Sequence, residues 1–155
     1  MTPKQQTFLN QYLEQLTTSE RASIKDVIAE HFCGDEYNAN QCAKLINEGI
    51  KTASCSLKSG YEIEQEPLPK VGRLSVVLDW DQNPICIIKL TSVEVCPFNQ
   101  VSEAFAYAEG EGDRTYQWWK QAHLRFFEWY ANELNITFSE YDDLVLERFE
   151  KVFPR

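Results

Sequence analysis

The chain has no C-x-x-C spacing, a deficit of positive charge and no long apolar run. Its five cysteines (Cys33, Cys42, Cys55, Cys86 and Cys96) are odd in number and scattered. That pattern argues against a disulfide frame or a zinc site and reads as reduced thiols of a cytoplasmic protein. Lys and Arg number 15 against 24 Asp and Glu, a net charge of -9. Such a balance argues against a sequence-independent nucleic-acid binder, which must neutralise phosphates with cations. A small basic pocket inside an acidic body stays open. No stretch approaches membrane-spanning length, and the opening "MTPKQQTFLNQ" is too polar for a signal peptide. Repeats, low-complexity segments and long linkers are missing too.

What remains is an ordinary globular composition, 43% hydrophobic and 13% aromatic over 155 residues. One domain spanning residues 1–155, with a single sizeable core, is expected. Phe8, Leu9, Tyr12, Leu13 and Leu16 fit one face of a helix over residues 3–16, capped by Thr2 with Pro3 in its first turn. A second helix is expected over "ASIKDVIAEHF", with Ile24, Val27, Ile28 and Phe32 inward. A third runs from about Asn40 to Glu48, buries Cys42, Leu45 and Ile46, and ends at Gly49 in a left-handed cap.

The chain then changes character. "KTASCSL" is extended, and "YEIEQEPLPKVG" is a loop. "RLSVVLDW" and "PICIIKLTSVEVCPF" are β-rich runs joined by the turn-like "DQNP"; the second exceeds a typical strand and should bend near Thr91–Ser92. A short helix "VSEAFAYAE" precedes an aromatic helix from Arg114 to Leu134, and "DLVLERFEKVF" closes the chain as a strand. Helices first, then strands with helices inserted, imply an α+β fold. Several short, non-sequential strands favour a small, partly open barrel.

Two stretches carry candidate chemistry. In "EGIKTAS" (48–54), Lys51 follows a helix-ending glycine and precedes the hydroxyls of Thr52 and Ser54. A lysine there either complements a helix dipole at the surface or reaches over a pocket beside Ser54. In "AYAEGEGDRT" (106–115), Glu109, Glu111 and Asp113 alternate with glycines. Asp113 suits an N-cap of the aromatic helix. The triplet could supply oxygen ligands to a metal, but it lacks the full calcium-loop pattern, and no metal site or cofactor is expected. The reading that fits better has a glycine-flexed loop aiming one carboxylate at Lys51 to orient a hydroxyl nucleophile. His123 lies on the apolar stripe and reads as a hydrogen-bonded core histidine. Trp118 and Trp119 cannot share a helix face, so one packs inward while the other can line a pocket and stack on a base.

Three blocks, "INEGIKTASCSL", "PLPKVGRLSVVLDWDQNPICIIKLTSVEVCPF" and "AFAYAEGEGDRTYQWWKQAHLRFF", resemble the ASCH (activating signal cointegrator homology) domain family, most closely its longer bacterial branch with an EGEGD loop. Residues 45–152 form the resembling core and 1–44 a helical extension. Gly49, Lys51 and Ser54 match the family's G-x-K-x-x-T motif, with serine in place of threonine. The resemblance implies a PUA-like β-barrel flanked by helices, with a central cleft for RNA or a nucleoside. Some small members remove the acetyl group from N4-acetylcytidine with a lysine, a threonine and a glutamate; others have been associated with ribonuclease activity. Carried over by position, the catalytic residues are Lys51, Ser54 and Glu111, with Glu109 the second choice for the acid. Gly49, Thr52, Glu109, Asp113 and Trp118 become substrate-binding candidates. The expected partner is a small nucleoside or nucleotide, or single-stranded RNA, and no membrane.

Three activities follow in order: amide hydrolysis on an acylated cytosine nucleoside, single-stranded RNA cleavage with or without a divalent ion, and recognition without turnover. In the first, Lys51 with a burial-lowered pKa takes the proton of Ser54. A nearby carboxylate pulls that pKa the other way, so the balance decides between base and fixed cation.

Overall fold

Capping chemistry sets where the first helices start. The structure, a computed structural model, describes residues 1–155. Helix α1 (Pro3–Leu13) opens on a Thr2–Gln5 capping box, and α2 (Thr18–Ser23) on a Thr17–Glu20 box, each satisfying two orphan donors. The helix expected over "ASIKDVIAEHF" does not form. The backbone turns extended at Ile24, and Val27–Glu30 is strand β1 instead. Its apolar spacing fits a helix, but parallel pairing of Val27–Glu30 with Leu74–Val77 overrides that local signal. Helix α3 (Glu36–Asn47) starts four residues earlier than expected because the Asp35 side chain caps it at Asn38. It buries Cys42 and Ile46, leaves Leu45 half-buried, and gives way to Gly49 at φ 77°.

Strand β2 (Ala53–Leu57) follows, then α4 (Lys58–Glu64), which takes in the first four residues of the stretch read as loop. Strands β3 (Leu74–Leu78) and β4 (Pro84–Pro97) form a hairpin, and the Asp79 carboxylate accepts from Asn83 N–H across its turn at 2.8 Å. As expected, β4 breaks register between Leu90 and Ser92. Helices α5 (Glu103–Glu109) and α6 (Tyr116–Glu133) come next, and β5 (Asp143–Phe153) closes the chain. The sheet order is β1-β3-β4-β5-β2, antiparallel except for β1 with β3. This is the expected α+β, partly open architecture, and the sheet does not close.

The core falls into three clusters, and alternation along β3 sends Val76 to the α1 side and Val77 to the α3 side of the sheet. One cluster joins β2 and β5 to α5 and α6 through Leu57, Phe105, Trp119, Phe127 and Leu144; another seats α1 on β3 and β4 through Leu9, Tyr12, Val76 and Ile87. Within α6, Trp119 is the inward tryptophan and stacks on Phe98 at 5.3 Å between ring centroids. The α5–α6 connection and the α3–β2 turn therefore meet at one end of the sheet. No helix is long and apolar enough to cross a membrane.

Candidate functional site: a buried lysine between two glutamates

Lys51 is held by backbone on both sides. Its own N–H donates to Leu45 O at the end of α3, while Thr52 N–H donates to Ala108 O in α5 at 2.8 Å. This tie places the chain just before β2 against the end of α5, where the EGEGD loop begins. The glycines of that loop have identifiable work. Gly110 sits at φ 71°, and a Cβ there would stand 2.6 Å from Ile50 O; Gly112 sits at φ 59°, and its Cβ would enter the Trp118 ring at 2.2 Å. Both positions combine a left-handed backbone with a contact that excludes a side chain. Gly110→Ala is therefore expected to lower stability by about 1–3 kcal/mol, through strain and overpacking against backbone that cannot move aside. An unfolding midpoint unchanged from wild type in denaturant would contradict this account of the loop.

The Lys51 side chain is 2% exposed and its Nζ donates to Glu111 Oε2 at 3.1 Å and to Glu109 O at 3.4 Å. Burial works against the ammonium, but the Glu109 and Glu111 charges outweigh it and hold the lysine above its ordinary value. The lowered pKa entertained for a lysine base is thus reversed, and Lys51 is a fixed cation. Glu109, at 1% exposed, is not a spare copy of Glu111. Its Oε2 accepts from Trp119 Nε1 at 2.9 Å and lies 2.8 Å from His123 Nε2. Burial opposes its charge too, yet Lys51 and His123 bring its pKa down to about 2.

His123 is a hydrogen-bonded histidine, as expected, but not a neutral one. Its Nδ1 lies 2.8 Å from Trp119 O and its Nε2 faces an ionised carboxylate, so both nitrogens must carry hydrogen. Burial disfavours that charge, and Glu109 more than compensates, raising the pKa. The ring also stacks on Trp119 at 4.6 Å. Lys51 and His123 therefore balance Glu109 and Glu111 in one neutral, four-membered cluster. Glu109 Oε1, fully buried, has no hydrogen-bond partner.

The cluster forms one wall of a cavity of ≈ 370 Å³, within the size range of small-molecule sites. Lys51, Ser54, Glu109, Glu111, Trp118 and His123 all line it. A second cavity of ≈ 350 Å³ shares Ser54, Cys55, Phe32, Cys33 and Phe126 with the first and carries Glu30, Glu64, Glu66 and Glu147 against Arg73. Burial and the neighbouring Glu30 push Glu147 up to about 7.

Not every expected residue reaches this place. Gly49 is the exposed cap after α3, and Thr52 Oγ1 is 3.3 Å from Ala108 O, outside the cavity lining. Asp113 is exposed and accepts from Thr115 N and Oγ1 at 2.9 and 2.6 Å. The N-cap of α6 is Thr115, with Asp113 bracing it. Glu109, Glu111 and Asp113 consequently point to three different partners and do not converge on a metal. Two other groups come within ligating distance of each other, Cys33–Cys42–Glu111 and Cys55–Glu109–His123. In each the acid already pairs with a protein cation, and burial is among the causes that raise the Cys42 and Cys55 thiols. The sequence reading missed Cys33 and Cys42 at the site. Cys42 was recognisable only as a buried helical position, because the turn carrying Cys33 back over α3 has no periodic signature.

The mixed, open sheet flanked by helices is an α+β fold that matches solved ASCH structures. The ASCH domain family matches residues 28–153, and the chain belongs to that family, whose fold is associated with RNA binding. The ASCH domain from Lactobacillus crispatus JV V101 is similar at 49% identity and a TM-score of 0.95, over 98% of this chain and 96% of that one. A DUF984 protein from Enterococcus faecalis V583 is similar at 33% identity and a TM-score of 0.83, over 99% of this chain and 92% of that one. No curated protein matches the sequence.

Proposed function

We propose that the chain binds a cytosine nucleoside acylated on its exocyclic nitrogen and hydrolyses that amide. The observation that carries this reading is a charged lysine fixed in the wall of a nucleoside-sized cavity that Ser54 and Glu111 also line. The Lys51 ammonium is placed to stabilise an oxyanion. Ser54 Oγ adds to the acyl carbonyl carbon, and its proton passes to the Glu111 carboxylate. The C–N bond then breaks as the nucleoside nitrogen takes that proton back. Water, deprotonated by Glu111, then adds to the acyl-serine, and the bond to Oγ breaks as Ser54 takes that proton back and the carboxylic acid leaves. Trp118, 37% exposed, offers a stacking face.

The four glutamates of the adjoining cavity favour a neutral ligand over a run of phosphates. Incubation of the purified protein with N4-acetylcytidine should release acetate and cytidine, with turnover reduced at least about 100-fold in Ser54→Ala and in Lys51→Ala. A wild-type protein that leaves a panel of N4-acylated cytosine nucleosides untouched overturns the hydrolytic reading. The charged state of Lys51 favours one second reading, recognition of a modified base without turnover. Ser54→Ala would then retain full ligand affinity while wild type produces no acetate.

A further inference from the structure

The cavity mouth carries two sulfurs that the proposed reaction does not use. Cys33 lies in the turn between β1 and α3, exposed, with its backbone at φ 68°. A left-handed cysteine is unusual for a residue with a side chain, and here it swings the thiol back over the helix. Cys42 is in the middle of α3, 1% exposed. Their sulfurs are 3.3 Å apart, both residues line the cavity, and Cys42 Sγ lies 3.6 Å from Glu111 Oε1. Cys55, Cys86 and Cys96 lack such a contact with a second thiol, so this pair stands apart from the remaining sulfurs.

We propose that Cys33 and Cys42 form a reversible thiol–disulfide site at the mouth of the cavity, oxidised by hydroperoxides and reopened by dithiols. The exposed sulfur is the attacking one. The hydrogen bond from Cys42, helped by Lys51, holds the Cys33 thiol below its ordinary value against burial and the nearby acids. The Cys33 thiolate attacks the peroxide O–O bond, becomes a sulfenic acid and releases an alcohol or water. The Cys42 sulfur then displaces the sulfenic oxygen, and the Cys42 proton, relayed through Glu111, leaves with that oxygen as water. Two thiols and one hydroperoxide thus give one disulfide, one alcohol or water, and one further water. Closing the bond needs a sulfur approach of roughly 1.3 Å, from contact to bonding distance. Cys33 sits on an exposed turn outside regular structure and Cys42 within a hydrogen-bonded helix, so the turn is the side that supplies the approach. Oxidation therefore fastens the turn onto α3 beside Glu111.

The test requires no nucleoside, so it stands or falls separately from the hydrolytic reading. The full chain, reduced and then treated with equimolar hydrogen peroxide, should go from five titratable thiols to three under denaturing conditions. Its intact mass should fall by about 2 Da, peptide mapping should join Cys33 to Cys42, and dithiothreitol should restore all five thiols. Cys42→Ser should stop at the sulfenic acid, which dimedone captures at Cys33. Cys33→Ser, a change at an exposed position, should lose no thiol pair. Five thiols persisting in wild type, or a cross-link between other cysteines, overturns the proposal.

Discussion

Lys51→Met is expected to lower the melting temperature at neutral pH by about 10 °C, the largest effect of any single change at the site. Methionine fills much of the same volume, so the loss would come from charge rather than from a void. Removing one partner of a buried ion pair leaves the other uncompensated, typically at about 3–5 kcal/mol. For a chain of this length that corresponds to roughly 2–4 °C per kcal/mol. The lysine is only 2% exposed on its side chain and faces two carboxyl-bearing residues, so solvent screening offers little relief. The double variant Lys51→Met with Glu111→Gln should recover part of the loss, since it removes the anion left behind. A melting temperature within about 2 °C of wild type for the single variant would show that the pair is wetter than its burial implies.

Glu109→Gln should produce the second largest effect and also change how stability depends on pH. In the folded protein the Glu109 pKa is about 2 against an ordinary 4.5. A depressed carboxyl pKa gives stability that is fully present above the ordinary value and is lost as pH falls toward the folded one. The interval corresponds to about 3 kcal/mol, lost between pH 4.5 and about 2. His123 has the opposite sign. Its raised pKa contributes stability below 6.5 that is lost as pH rises through the folded value. Denaturant melts across pH should therefore show wild type weakening on both sides of a plateau. Glu109→Gln should lie about 3 kcal/mol lower on that plateau and lose most of both slopes. Equal slopes in variant and wild type would place the titrating groups elsewhere.

The local parts of this structure were legible because their causes are local. Thr2 with Pro3, Gly49 after α3, the bend in β4 and the aromatic stripe of α6 each announce themselves within a few residues. The Val27–Glu30 strand was not legible, since its cause is pairing with Leu74–Val77, some 47 positions away. The Lys51–Glu111 contact was reached through the family motif and the loop chemistry, not through spacing. The separate roles of Glu109, Glu111 and Asp113 could not be read from their alternation. They depend on which side of Gly110 and Gly112 each carboxylate leaves the chain, and on Trp119, His123 and Thr115 as receivers. The direction of the lysine pKa needed coordinates for the same reason. Burial alone lowers it, and only the positions of both glutamates reverse the sign.

That reversal is the centre of the account, because a fixed cation and a base imply different chemistry for the same three residues. The most direct measurement is an NMR titration of the Lys51 side chain, followed at Cε in lysine-labelled protein and assigned by its loss in Lys51→Met. The account predicts no titration of Lys51 at any pH up to its ordinary value of 10.5. A Cε shift that titrates near neutral pH would contradict it and return the lysine to the role of general base.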